Sequence, residues 1–333
     1  MIRPTTIKIE KLNSEFLEFK KTNLAESTYL GYRSIANTLN RHIGHLCVAD
    51  ITTYDLEQYL NETMLTAIKP NGEVGYNDKT RVNHASYLKR IFTYLYKRAL
   101  INTNPCAEAL EVVKKGTFVP EKPYSDEDIA TIRRIANDDS DILGSYIALV
   151  FLFAISTGLR PSEIIPLTLS DLQQGKQSGT YVLHINKALA ITQVKDTKTT
   201  KSNRVLQLPE PSVVYLKKIL ERNNTSFDFA VSSNSMELAL IKDPMTNQAF
   251  INPGNLYDRS KSALKNKVAS FRGIKPCRHT FATLCADNDL PFDDIASMMG
   301  HSDTDMLEKH YAYYREKHPV MGEKHLAKMN RIF

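Results

Sequence analysis

The chain lacks the features that mark membrane, secreted and zinc-binding proteins. Its four cysteines contain no C-x-x-C pair, which argues against a zinc site or a disulfide framework and fits a reducing compartment. No apolar run reaches the roughly 18 residues of a membrane span, and the longest, residues 142–155, predicts a buried helix. The N-terminus shows no signal-peptide pattern, so we expect a soluble intracellular protein.

The length, hydrophobic content and net charge of the chain narrow the class of protein further. The 333 residues are enough for about two domains with sizeable cores. A hydrophobic content of 42% argues against disorder. Lys and Arg total 43 against 37 Asp and Glu, which gives a net charge of +6 and a pI near 8.9. This mild basicity fits a nucleic-acid partner without establishing one.

The periodicity of apolar residues predicts two domains. About four helices fill residues 1–115, and the last of them, from Asn77 to Leu100, is rich in basic and aromatic side chains. Residues 116–122 are predicted to be a linker, and residues 123–333 a second domain that opens with a capping box at Ser125. Three strands are predicted in it, followed by helices from Pro211: Tyr181–Ile185, Ala188–Val194 and Arg204–Leu208. The predicted fold class is mainly α with a small β-sheet: a helical domain plus a mixed α+β domain.

Two arginines, a histidine and a tyrosine occur in an order that suits metal-free attack on a phosphodiester. Arg160 follows a predicted helix end, and Arg278 lies just after a proline that can start a helix, where backbone donors would add to a phosphate site. His301 comes after Met-Gly, and Tyr311 follows it by ten positions. A tyrosine oxygen can be a nucleophile, and arginines can stabilise charge on the phosphate. Each residue alone is often a surface or packing group, but their joint order predicts a DNA strand transferase.

A lysine-rich turn between two predicted strands offers a proton donor. Lys198 lies there, and a lysine at a hairpin tip can enter a DNA groove or protonate a leaving oxygen. Lys195 and Lys201 are close by, and the sequence does not rank the three securely. Two neighbouring tyrosines, Tyr313 and Tyr314, leave the identity of the nucleophile open in the same way.

In these motifs the chain resembles the tyrosine recombinase (phage integrase) family over essentially its whole length. Residues 1–115 look like the helical core-binding domain of the family, and the second domain looks like its catalytic domain. The resemblance implies these roles: Arg160 and Arg278 as the phosphate-binding pair, His301 as a further phosphate donor, Lys198 as general acid, Tyr311 as nucleophile and Glu163 as the supporting acidic residue.

One position departs from the family. The family usually has a histidine three residues before the second arginine, and Lys275 stands there in this chain. A lysine can donate to a phosphate oxygen, but its reference pKa of about 10.4 makes it a poor base near neutral pH. The resemblance therefore implies Lys275 as a phosphate donor rather than as a proton acceptor.

The resemblance also implies a reaction and its partners. The reaction is site-specific recombination through a 3′-phosphotyrosyl intermediate, with no metal, nucleotide or other cofactor. The partners are double-stranded DNA recombination sites, a homotetramer assembled on them and, where needed, accessory DNA-bending proteins, in a bacterial cytoplasm at the nucleoid. The C-terminal segment from Pro319 would dock on a neighbouring subunit. The candidate DNA contacts are Arg81, Lys89, Arg90, Lys201 and Arg204.

Two other functions remain open at this point. A type IB topoisomerase uses similar chemistry to relax DNA, although a Gly-His pair ten residues before the tyrosine favours a recombinase. A catalytically inactive DNA-binding relative is the other alternative, and Lys275 is its only support. Strand exchange between two sites would separate a recombinase from a topoisomerase. Failure to form a covalent adduct on bound DNA would indicate the inactive relative.

Overall fold

The computed structural model describes residues 7–113, 121–190, 193–196, 203–233, 237–301, 303–305 and 307–308. The chain forms two compact units, Met1–Val119 and Pro120–Phe333. Several residues singled out in the sequence lie outside the described part: Lys198, Lys201, Tyr311, Tyr313, Tyr314 and the segment from Pro319.

The N-terminal unit is built from helices. They are α1 (Ile9–Lys21), α2 (Glu26–Ile43), α3 (Thr53–Gln58), α4 (Met64–Thr66) and α5 (Asp78–Lys97), with a π-helical turn at Tyr59–Thr63 between α3 and α4.

Local signals set the ends of these helices, and an apolar stripe packs them together. Thr52 and Asp55 form a reciprocal capping box at the start of α3, and the side chain of Asn77 caps α5. Phe16 of α1 and Leu39 of α2 are both fully buried where these helices pack. Burial of each such side chain stabilises the unit by about 1.5–3 kcal/mol.

Arg81 lies inside this unit, so the expectation that it contacts DNA is wrong. Its side chain has 0% exposure. The guanidinium donates to the Asn61 side chain (3.1 Å), to the Asp78 carboxylate (2.7 Å) and to the backbone carbonyls of Leu60 and Val113. A buried charge is tolerated when it is paired and hydrogen-bonded in this way. Arg81 therefore ties the chain at Val113 to α5.

A buried histidine makes the N-terminal unit sensitive to pH. His84 of α5 is 2% exposed, and its Nδ1 lies 2.9 Å from the Tyr59 hydroxyl. Burial, and after it the charge of His42 nearby, lowers the pKa of His84 to about 4. The folded unit therefore holds this imidazole in its neutral form.

The stability of the chain should fall between pH 6.5 and pH 4. In this window the unfolded His84, with an ordinary pKa near 6.5, binds a proton that the folded one does not. The contribution is fully present above pH 6.5 and is lost towards pH 4, by up to roughly 3 kcal/mol. Melting of the full chain followed by circular dichroism at pH 7.5 and 5.0 measures it. His84→Gln should show a smaller pH dependence than the matched variant His45→Gln at an exposed position. Equal pH dependence in the two variants would contradict the assignment.

The C-terminal unit combines helices with short strands. Its helices are α6 (Asp126–Ala136), α7 (Ile142–Thr157), α8 (Pro161–Ile164), α9 (Glu210–Arg222), α10 (Phe227–Ser232), α11 (Pro253–Leu264), α12 (Lys275–Asp287) and α13 (Phe292–Met299). Its strands are β1 (Leu172–Gln174), β2 (Tyr181–Ile185), β3 (Lys187–Ala190), β4 (Gln193–Asp196), β5 (Arg204–Gln207), β6 (Lys242–Asp243) and β7 (Gln248–Ala249). The predicted fold class, mainly α with a small sheet, is confirmed.

The main sheet is antiparallel, in the order β1-β2-β5. Leu172 pairs with Leu183, which pairs with Leu206, and all three side chains are buried. The prediction of a single strand over Ala188–Val194 is wrong, because β3 and β4 pair with each other as separate antiparallel strands. The sequence between them contains no glycine, proline or asparagine to mark a turn, so both strands read as one apolar run.

Helix α7 forms the centre of this unit. It is buried along almost its whole length and packs against α6, α9, α11 and α12, as the apolar run at 142–155 predicted. It ends at Gly158 in the left-handed conformation, with φ of 66°. A Cβ there would lie 2.5 Å from a ring carbon of Phe281 on α12, so only glycine fits. Within the described part of the chain, no helix has the length and apolar character needed to cross a membrane.

Candidate active site

Three helix ends meet at one place in the C-terminal unit. Helix α7 ends at Gly158, and Arg160 then caps the start of α8. Helix α13 ends at Gly300, also left-handed with φ of 67°, and His301 follows directly. Helix α12 begins at Lys275 and carries Arg278 in its first turn. The turns predicted from glycine and proline therefore bring the predicted phosphate-binding residues together.

A single buried carboxylate organises the arginines. Glu163 is 2% exposed, and its Oε1 accepts from Arg160 Nη1 at 2.7 Å. Its Oε2 accepts from Arg204 Nη2 at 3.1 Å and lies 3.9 Å from Arg278 Nη1. Burial alone would raise the pKa of Glu163, but hydrogen bonds and charge from Arg204 and Arg160 outweigh it and hold the pKa below its ordinary value. One ionised carboxylate against three guanidinium groups leaves the cluster with a positive net charge.

Arg278 connects the ends of α7 and α13. Its Nη1 donates to the Gly158 carbonyl at 2.6 Å, and its Nη2 donates to the Met299 carbonyl at 2.7 Å. The residue is 8% exposed. Burial, followed by the charge of Arg160, lowers the pKa of Arg278 to about 9, so the group stays charged at neutral pH. Arg278 is thus a fixed cation with little freedom to move.

His301 is a neutral donor beside these cations. Its Nδ1 is buried and has no hydrogen-bond partner among the described residues. Burial and the charges of Arg278 and Arg160 lower the pKa of His301 to about 4. A neutral imidazole carries one N–H and can donate it to a phosphate oxygen. His301 can therefore bind an anion at neutral pH without adding to the repulsion between the arginines.

These residues line a pocket of about 650 Å³. The lining combines polar side chains, Arg160, Lys275, Arg278 and His301, with apolar ones, Ala282, Ala286, Phe292 and Leu307. A volume of this size can hold a phosphodiester and its adjoining sugar. Leu307 brings the chain to the pocket wall four residues before Tyr311.

Lys275 lies at the edge of the pocket. Its Nζ is 2.9 Å from Glu121 Oε2, and the side chain is 74% exposed. His279 Nε2 lies 3.5 Å from the same oxygen. An exposed ion pair contributes little stability, so Lys275 can exchange Glu121 for a phosphate oxygen at small cost. Reasoning from the sequence missed Glu121, because nothing local to residue 121 indicates a contact with α12.

Arg204 does not lie where a DNA contact was expected. Its side chain is 9% exposed. All three nitrogens are engaged: Nε donates to the Met298 carbonyl at 2.7 Å, and Nη1 and Nη2 donate to Glu163 at 3.3 and 3.1 Å. The guanidinium faces Glu163 and the end of α13, and Arg204 is not among the residues that line the pocket. The structure therefore does not support the expected direct DNA contact, which stays a prediction.

The N-terminal unit carries a basic groove of about 640 Å³ between α1, α2 and α5. Of the described lining residues none is acidic and five are basic: Lys20, Lys89, Arg90, Lys97 and Arg98. Aromatic rings back these cations, and the Arg98 guanidinium lies 3.9 Å from the centre of the Tyr94 ring. Lys89 and Arg90 are exposed, in contrast to Arg81 on the same helix.

Comparison with known proteins identifies the family. Residues 125–318 match the phage integrase family, and residues 8–64 match its N-terminal SAM-like domain. The tyrosine recombinase XerD of Yersinia pestis is 28% identical over 323 residues, which cover 91% of this chain and 94% of the relative. A XerC-like tyrosine recombinase of Caldanaerobacter subterraneus subsp. tengcongensis is 23% identical over 298 residues, covering 82% and 70%.

Solved structures show the same fold. The Tn1549 transposon integrase, in complex with a circular intermediate DNA, superposes with a TM-score of 0.71 at 18% identity, covering 98% of this chain and 100% of that chain. A lambda integrase tetramer bound to a Holliday junction gives a TM-score of 0.62 at 15% identity, covering 91% and 77%. The family match spans more than half of the chain, from the capping box that opens the C-terminal unit to beyond Tyr311. The chain belongs to the phage integrase family of tyrosine recombinases.

Proposed function

We propose that this recombinase breaks and rejoins DNA at specific sites through a phosphotyrosyl bond to Tyr311. The observation that supports it most is that Arg160 and Arg278 both line the pocket and both lie within 3.9 Å of the buried Glu163 carboxylate, which leaves a net positive charge. It is suited to one phosphodiester anion, and the chain reaches the same pocket four residues before Tyr311.

In the first step the Tyr311 oxygen attacks the scissile phosphorus. A bond forms from the tyrosine oxygen to phosphorus, and the bond from phosphorus to the 5′-oxygen breaks. The phenol loses its proton to solvent, and the departing 5′-oxygen receives one from Lys198. Arg160 and Arg278 bind the non-bridging oxygens, and His301 donates its N–H to one of them without adding charge.

The second step reverses the first with a different strand. The 5′-hydroxyl of a partner strand attacks the phosphotyrosine and expels Tyr311, which restores a DNA phosphodiester. The covalent intermediate retains the bond energy, so the reaction consumes no nucleoside triphosphate. Lys275 would add a donor to a phosphate oxygen when its exposed pair with Glu121 opens.

The proposed partners follow from the number of DNA strands to be cut, which is two strands at each of two recombination sites. Four copies of the chain would assemble on paired DNA sites at the nucleoid, with accessory DNA-bending proteins where a site requires them. The segment from Pro319 to Phe333 would dock on a neighbouring subunit. The lambda integrase tetramer on a Holliday junction supports this arrangement.

The basic groove of the N-terminal unit is the proposed DNA contact outside the pocket. We expect the double variant, Lys89→Ala with Arg90→Ala, to bind DNA roughly tenfold more weakly at physiological salt. The slope of log affinity against log salt should become shallower by about 2, because two phosphate contacts are lost. Fluorescence anisotropy over a salt series measures both. Lys79→Ala, at an exposed position in the first turn of the same helix, is the matched control. Equal losses in the two proteins would remove the groove from the DNA interface.

Covalent capture tests the proposed function. The protein is incubated with nicked duplexes taken from DNA flanking its gene, digested, and mapped by mass spectrometry. A phosphotyrosyl peptide at Tyr311, with exchange of strands between two labelled sites, is the expected result. Relaxation of supercoiled DNA without strand exchange would indicate a topoisomerase. Bound DNA with no adduct would indicate an inactive relative.

A further inference from the structure

Arg204 occupies a junction between three parts of the C-terminal unit. It is the first residue of β5 and follows Lys198 by six positions. Its two terminal nitrogens hold both oxygens of Glu163, and its Nε reaches the Met298 carbonyl. A guanidinium can serve three acceptors at fixed angles, which a lysine ammonium cannot reproduce.

The Met298 contact bears on His301. The last carbonyls of α13 carry the negative end of the helix dipole, and cations bound there stabilise the helix end. Arg204 holds Met298, and Arg278 holds Met299, at 2.7 Å each. A Cβ at Gly300 would lie 2.7 Å from Arg204 Nη1, so the guanidinium lies directly against the turn that presents His301.

We propose that Arg204 is a positioning residue that fixes His301 relative to the phosphate-binding arginines. This inference rests on the proposed function. Arg204 acts through its contacts to Glu163 and Met298 rather than on the phosphate. Its fork geometry matters beyond its charge, because a single ammonium cannot hold the carboxylate and the carbonyl in place together.

The test is Arg204→Lys, which keeps the charge and removes the fork. Displacement of donors by about 1 Å can slow a reaction on the order of 100-fold. We expect that loss in single-turnover cleavage of nicked DNA, with DNA affinity within about threefold of the unmodified protein. Arg259→Lys is the matched control, because Arg259 binds Asp243 through Nε at 3.1 and 3.0 Å elsewhere in the unit. The control should cleave at the unmodified rate.

Two further measurements separate positioning from general destabilisation. Since Arg204 acts partly through His301, the two substitutions should not act independently. The double variant Arg204→Lys/His301→Ala should lose much less cleavage rate than the product of the two single fold-losses. In the free protein, the imidazole NMR signals of His301 should shift in Arg204→Lys and stay unchanged in Arg259→Lys. Any one of three results would overturn the proposal. They are cleavage by Arg204→Lys at the unmodified rate, fold-losses in rate that multiply in the double variant, and His301 imidazole signals that do not shift in Arg204→Lys. If the unmodified protein forms no adduct, the proposed function fails, and the NMR comparison still decides whether Arg204 positions His301.

Discussion

Tyr311→Phe is expected to form no covalent protein–DNA adduct, with DNA affinity within a few-fold of the unmodified protein. The substitution removes one oxygen and leaves the ring, so Arg160 and Arg278 should stay in place. Without the oxygen this residue can form no bond to phosphorus. The loss should therefore be complete within the sensitivity of the assay.

The measurement is a denaturing gel of protein incubated with nicked, labelled duplex, beside anisotropy on the same DNA. Tyr313→Phe and Tyr314→Phe are the matched controls, since each removes the same atom within three positions. Both controls should retain the adduct. If the adduct persists in Tyr311→Phe and disappears in one of the controls, the tyrosine replaced in that control is the nucleophile.

Arg278→Lys is expected to lower the cleavage rate on the order of 10³-fold, within the range seen when one transition-state donor or guanidinium is lost. The charge remains, but one ammonium cannot replace two guanidinium nitrogens that bind the Gly158 and Met299 carbonyls and also, in the proposed reaction, the phosphate. At least one of these buried carbonyls would lose its partner.

Single-turnover cleavage with saturating DNA measures this loss, and the melting temperature checks the fold. Arg222→Lys is the control. Arg222 does not line the pocket, and its Nη2 lies 2.9 Å from Asp139 Oδ1. A folded Arg278→Lys protein that cleaves within tenfold of the unmodified rate would show that charge alone is sufficient. Phosphate binding by the guanidinium fork would then be excluded.

The site residues that could be predicted from the sequence are those set by local backbone chemistry. Glycine at 158 and at 300 ends a helix in the left-handed conformation, and proline at 276 lies in the first turn of α12. These signals are short-range, so they placed Arg160, Arg278 and His301 near helix ends without knowledge of the tertiary fold.

Contacts between distant segments could not be predicted in this way. Arg204 contacts Glu163 across 41 positions of the sequence, and Glu121, at the start of the unit, contacts Lys275 of α12.

Arg81 is different, because the spacing of residues in the sequence did indicate its burial. It lies three positions before His84 and seven before Leu88, and all three are buried on one face of α5. Its charge suggested a surface position, although its place in the stripe indicated the core.

The shared carboxylate of Glu163 has a consequence for the direction of the reaction. A DNA phosphodiester and a phosphotyrosyl diester carry the same single negative charge, so in the proposed reaction Arg160 and Arg278 meet the same charge before and after each strand transfer. The pocket then favours neither substrate nor intermediate electrostatically, and each transfer is close to thermoneutral. We expect a chain built in this way to catalyse strand transfer in both directions. Whether two DNAs end up joined or separated must be decided outside the pocket, by the DNA sites and the proteins assembled on them.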